Sequence, residues 1–197
     1  MRPGPSDYLR ISSCHGRVTN LARAAPRPPI RHSLRPRLTA IASSTAEVVQ
    51  FAGGWLFDQV MAGWDVTVIT ADHGDSRALE ILGVRARDLE TMLALPVLGP
   101  CLQAIAVRAS LYDSDARVRR MVLTALDAGL AEIRFWGDQG PEGFDGAAYP
   151  VSHRLSVAAR AFKAQALAAA AAPAGSAHDV EVFRWGESRR PSSVPAR

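Results

Sequence analysis

Lysine is almost missing from this chain. Lys163 is the single lysine among 23 basic residues, and together with abundant alanine this bias points to a GC-rich coding sequence and a bacterial source. Cysteine is scarce as well: Cys14 and Cys101 stand in unlike contexts, which excludes a disulfide framework or a CxxC motif and fits a reducing cytoplasm. No apolar run reaches the roughly 20 residues that a spanning helix needs. The longest, Leu93 to Val107, is cut by Pro96, Gly99, Pro100 and Gln103, so no membrane association is expected. The N-terminus has no apolar core of a signal peptide. Also missing are a Gly-x-x-x-x-Gly-Lys-Ser/Thr loop and a Gly-x-Gly-x-x-Gly turn after any strand, which argues against P-loop and dinucleotide chemistry.

What is present describes one soluble domain with tails: 197 residues, 48% hydrophobic and 21% charged. The charge is uneven. Residues 1–43 carry +7, residues 44–172 carry −4 and residues 173–197 carry +1. The pI near 9.7 therefore belongs to the arm, and the mildly acidic body argues against a nucleic-acid-binding face on the folded part. In the arm, arginine and proline alternate without period, a composition that cannot offset its ordering entropy. Residues 1–43 read as a disordered tail or a start codon called too far upstream, with a transit-like presequence and a nucleic-acid-touching arm as further readings. Residues 173–197 read as a mostly disordered tail, with Val180 to Trp185 as a frayed edge strand or an ordered tail.

The body is organised around residues 44–77. Ser44 with Glu47 fits a capping box. Val49, Ala52, Leu56 and Val60 recur at helical spacing, and Gly63 ends the helix. Val66 to Thr70 is a β-branched run, apolar on nearly both faces, as a central parallel strand should be. Further strands are expected at Val84–Ala86, Leu102–Leu111 and Glu132–Trp136. Helices are expected at Ser76–Leu82, Leu89–Leu95, Ser114–Ala128 and Arg154–Ala170, with a glycine-rich loop after Trp136. Repeated helix-glycine-strand units lead to an α/β three-layer sandwich over residues 44–172 with a mostly parallel, Rossmann-like sheet.

In such sheets, ligands bind outside the carboxyl ends of the strands. Asp72, Asp113 and Asp138 follow predicted strands, and carboxylates on one rim suit Mg²⁺. His73 is the candidate base, since imidazole titrates near neutrality, with Asp72 and Asp138 beside it. Arg77 and Arg117, opening the following helices, are candidates to hold an anion. Gly53 and Gly54, each costing roughly 1 kcal/mol in mid-helix, mark either close packing or a ligand approaching the backbone. His153 at the last helix is a further rim candidate, and Cys101 reads as buried and inert. The same acids also serve as ordinary helix caps and turn residues.

Residues 62–71, Ala-Gly-Trp-Asp-Val-Thr-Val-Ile-Thr-Ala, resemble the helix-to-second-strand passage of two-domain glycosyltransferases, although the chain is too short for two such domains. The acidic strand ends resemble phosphoacceptor receiver domains, without the lysine those need at a late strand. Neither resemblance transfers residue roles. With no catalytic signature, the expectation is a non-catalytic ligand-binding or regulatory module acting on a protein partner or a small phosphorylated ligand. The alternative is a small Mg²⁺-dependent phosphoryl-handling or hydrolytic enzyme with its acidic site at the strand ends.

Overall fold

The computed structural model describes residues 35–72, 76–94, 102–127, 129, 131–137, 140–142, 144, 147–172 and 178–187. Seven strands, β1 (Arg37–Ala42), β2 (Asp65–Thr70), β3 (Arg85–Asp88), β4 (Leu102–Arg108), β5 (Glu132–Trp136), β6 (Ala147–Arg154) and β7 (Val180–Glu187), form one sheet in the order β3-β2-β1-β4-β5-β7-β6. The first five run parallel, and β7 and β6 close one side antiparallel. Helices α1 (Thr45–Met61), α2 (Arg77–Ile81) and α6 (Val157–Ala169) contribute to one core cluster. Helices α3 (Leu89–Leu93), α4 (Ala109–Ser114) and α5 (Ala116–Asp127) contribute to the other. The protein is thus an α/β three-layer sandwich with a mostly parallel sheet.

The sheet begins earlier than the arm's composition suggested. Residues 37–42 form β1, an interior strand, pairing β2 on one side and β4 on the other. Leu38, Ala40 and Ala42 point into the α1 layer, and Ile41 points into the α5 layer. The ordered body therefore extends N-terminal to Ser44. At the other end, β7 is an interior strand between β5 and β6, not a frayed edge. β6 occupies the stretch expected to be loop and helix start; Pro150 sits there because an edge strand tolerates a missing N–H. The strand expected to reach Leu111 ends at Arg108 and Ala109–Ser114 form α4 instead; Asp115 then caps α5, the helix expected from Ser114, by accepting from the Arg117 amide at 2.8 Å.

Helix α1 starts where the capping pattern placed it, with the Ser44 hydroxyl accepting from the Glu47 amide at 3.3 Å. Gly63, at φ +91°, takes the left-handed turn that follows α1. The two clusters are held by fully buried Leu, Ile, Val, Phe and Trp side chains, each contributing about 1.5–3 kcal/mol of transfer free energy. Among the described residues no helix is long and apolar enough to cross a membrane.

Candidate functional site

The chain leaves β1 through α1 toward β2, and leaves β4 through α4 and α5 toward β5. A crevice therefore opens beyond the carboxyl ends of β1 and β4, the topological switch point at which open α/β sheets bind ligands. Two charged side chains meet there. Glu47 comes from the first turn of α1, and Arg108 is the last residue of β4. Instead of completing a capping box, the Glu47 side chain turns toward Arg108, with Oε1 at 3.8 Å from Nε. That separation is too long for a hydrogen bond.

The guanidinium of Arg108 is held from two further sides. Its centre lies 4.5 Å from the centre of the Phe51 ring, one turn along α1 from Glu47. Gly137, at φ +129°, lets the chain pass close by; a Cβ there would stand 2.9 Å from Nη1. Yet among the described residues Nε and Nη1 of Arg108 have no hydrogen-bond partner although both are buried. The same holds for Oε2 of Glu47 and for Nε1 of Trp136, the register partner of Arg108 on β5. A buried polar group without a partner costs about 1–3 kcal/mol. Several of them therefore gather at the switch point, two donors of Arg108 and the indole N–H beside one acceptor of Glu47.

The residues singled out in the sequence fall elsewhere. Asp72, just past β2, offers both carboxylate oxygens to the Thr45 amide, at 3.0 and 3.2 Å, and accepts from the Thr45 hydroxyl at 3.3 Å. It fastens the start of α1 to the end of β2. Asp113 lies within α4 and accepts from the Glu142 amide at 3.0 Å. His73, Asp138 and Cys101 lie outside the described residues. Among the described residues no three His, Cys, Asp or Glu side chains gather as a metal site. Arg77 opens α2 on the exposed surface. Arg117 binds Glu90 through two 2.8 Å bonds and Asp115 through another at 2.9 Å, so its charge ties α3 to α5. Glu90, then Asp115, raise the Arg117 pKa, and its hydrogen bonds hold both acids below the usual carboxylate range.

His153 binds Asp58 of α1 at 2.8 Å, fastening the end of β6 to α1. Burial pushes Asp58 up, but the hydrogen bonds from the Ser156 side chain, His153 and the Ser156 amide outweigh it, and the net shift is downward. Gly53 and Gly54 are explained by packing. A Cβ on Gly54 would lie 2.5 Å from both methyls of Leu155, and one on Gly53 would lie 3.3 Å from Leu82. Sequence reading missed Arg108 because an arginine ending a strand looks solvated; the signal was its place at the close of an otherwise apolar run.

No protein-family model matches the chain, and no curated protein matches it. Solved structures do share its fold. One is a triple mutant of a deacetylase of the teicoplanin biosynthetic pathway, 15% identical with a TM-score of 0.58 over 80% of this chain and 100% of that one. A deacetylase–teicoplanin complex is 14% identical with a TM-score of 0.54, covering 77% and 98%. An antimicrobial pseudoaglycone deacetylase is 18% identical with a TM-score of 0.52, covering 68% and 81%. The expectation of a non-catalytic, regulatory module is corrected here: the fold is one carried by deacetylases. The sequence holds no signature motif for a reaction, and the two side chains that meet at the switch point, Glu47 and Arg108, stand 61 residues apart.

Proposed function

We propose that the chain is a small hydrolase that removes an acyl group from an amine, acting at the switch point between β1 and β4. The observation that carries this reading is the pair of unmet partners: buried donors on Arg108 beside a buried acceptor on Glu47. An amide complements both, its carbonyl accepting from Arg108 and its N–H donating to Glu47. The fold shared with deacetylases supports the same reaction class.

In this reading Glu47 takes a proton from a water molecule, and the water oxygen bonds to the amide carbon. Negative charge developing on the carbonyl oxygen is met by the fixed guanidinium of Arg108, an electrostatic role worth about 10²–10³ in rate. The C–N bond then breaks, the proton held by Glu47 passes to the departing nitrogen, and the products are a carboxylic acid and an amine. A metal ion is not given a step. Asp72 has both oxygens engaged by Thr45, and Asp113 bonds the Glu142 amide; these acids do not fit an Mg²⁺ site among the described residues.

The test is acetate release from a panel of acetylated amines, with teicoplanin among them, by the purified full chain. Release that persists in a chelator and falls at least a hundredfold in Arg108→Gln supports the reading. Equal release by the wild type and Arg108→Gln overturns it.

A further inference from the structure

Strand β7 carries an inverted pattern. Val180 and Val182 are 41% and 59% exposed, while Glu181 between them is 3% exposed. Phe183 sets this orientation by packing against Trp55 at a ring separation of 4.8 Å, which turns the neighbouring odd position, Glu181, into the core. There the carboxylate meets Lys163, the chain's only lysine, 1% exposed, at 2.6 Å. It also accepts from two backbone amides of α1, Gly54 at 3.0 Å and Trp55 at 2.8 Å.

Those two amides lie in the middle of α1, where helix N–H groups ordinarily point at carbonyls four residues back. A buried carboxylate that reaches them grips the helix backbone itself. Gly54 itself makes room for Leu155, whose methyls would lie 2.5 Å from a Cβ there, so this turn of α1 is closely packed on the side chain as well as bonded through its backbone. One carboxylate thus fixes three elements together: β7, α6 and the central turn of α1. One turn toward the N-terminus from Gly54 is Phe51, which lies against Arg108, and a further turn away is Glu47.

We infer that Glu181, held by Lys163, is a positioning residue for the Arg108–Glu47 site, setting where α1 lies and with it the face against which Arg108 packs. The inference rests on the function proposed above in that this site is the one being positioned. A general packing role predicts lost stability when the pair is removed. A positioning role predicts a displaced site even when stability is kept.

The two are separated by the double variant Lys163→Met/Glu181→Leu, because replacing both members of a buried ion pair with apolar residues is often neutral in stability. In protein labelled at arginine nitrogen, the Arg108 Nε–H resonance is expected to move. Amide exchange over residues 47–55 should speed up by tenfold or more, while the Arg119 Nε–H on the opposite layer stays in place. Glu181→Gln, which keeps both size and one acceptor, should give a smaller shift in the same direction, and it supplies the readout if the double variant does not fold. Where hydrolysis is measurable, kcat should fall tenfold or more at unchanged KM. An unmoved Arg108 resonance with unchanged exchange over residues 47–55, in whichever of these variants folds, overturns the inference. A moved resonance in a protein whose wild type hydrolyses no amide would leave the positioning intact and overturn only the hydrolase reading.

Discussion

Two adjacent glycines in one helix should respond in opposite ways to the same substitution. Replacing a mid-helix glycine with alanine gains about 1 kcal/mol from backbone entropy and helix propensity if the new methyl group fits. At Gly53 the nearest atoms are the end of Leu82 at 3.3 Å and of Val49 at 3.5 Å, so a shift of a few tenths of an ångström admits it. At Gly54 both Leu155 methyls would be at 2.5 Å and its Cγ at 3.0 Å. Turning the Leu155 methyls about the Cβ–Cγ bond leaves Cγ at 3.0 Å, and Leu155 is itself buried; forcing a methyl group into a packed core costs about 1–3 kcal/mol. Displacing α1 also pulls the Gly54 and Trp55 amides from Glu181, for about 1 kcal/mol more per weakened bond. Gly53→Ala is therefore expected between neutral and about 1 kcal/mol more stable, and Gly54→Ala about 2–4 kcal/mol less stable, overpacking and two weakened bonds outweighing the propensity gain. Urea unfolding with a common m-value reads the difference directly. Equal midpoints for the two variants would refute the packing account.

Asp72→Ala removes the acceptor for the Thr45 amide and hydroxyl and should cost about 1–2 kcal/mol, the range of a lost helix cap, measured by the same unfolding titration. Burial pushes the Glu181 carboxyl above the ordinary glutamate value of about 4.5, an effect partly offset by Lys163. Its stabilising contribution is therefore present below that value and is lost as pH rises through its folded value. The stability advantage of wild type over Glu181→Gln should shrink as pH is raised above about 4.5, and a constant difference would contradict the shift. Asp58 has the opposite sign: its pKa is lowered, so its contribution is present above the ordinary aspartate value of about 3.8 and lost as pH falls through the folded value. Asp58→Asn should flatten the acid limb of the stability profile relative to wild type. Gly137→Ala would place a Cβ 2.9 Å from Arg108 Nη1 at a backbone angle of φ +129°, and loss of hydrolysis beyond any loss of stability is expected.

The parallel half of the fold was legible because its signals are local. The Ser44 cap, the Gly63 stop and the β-branched run of β2 each follow from a few neighbouring residues, and together they imply the crossover. β1 escaped notice because a strand buried on both faces shows no alternation, and its six residues follow a proline- and arginine-rich stretch. β6, and the interior place of β7, escaped for a different reason. Their pairing joins residues far apart in sequence, β5 to β7 and β7 to β6, and no local pattern announces it. In β7 the alternation points the wrong way: valines face outward and a glutamate faces in, which is acceptable only because Lys163 and two helix amides wait in the core.

The candidate site divides along the same line. The rim at the strand ends follows from the fold class, but its contents depend on which side chains have already found partners. Asp72 and Arg117 attract attention as charges near helix starts, and both turn out to be engaged structurally. Arg108 is unremarkable in sequence and Glu47 reads there only as a cap, and what sets them apart is the buried polar atoms they leave without a partner among the described residues. Only a map of satisfied and unsatisfied groups separates the two kinds.

The most direct test of the central claim is a comparison of amide hydrolysis by wild type and Glu47→Gln under conditions where both are folded. Glutamine keeps the shape of the site but cannot take a proton, so the account predicts a loss in kcat of about 10²–10⁴, the usual worth of a positioned base, with KM little changed. Hydrolysis at the wild-type rate in Glu47→Gln would contradict the assignment of the switch-point pair as the reacting site.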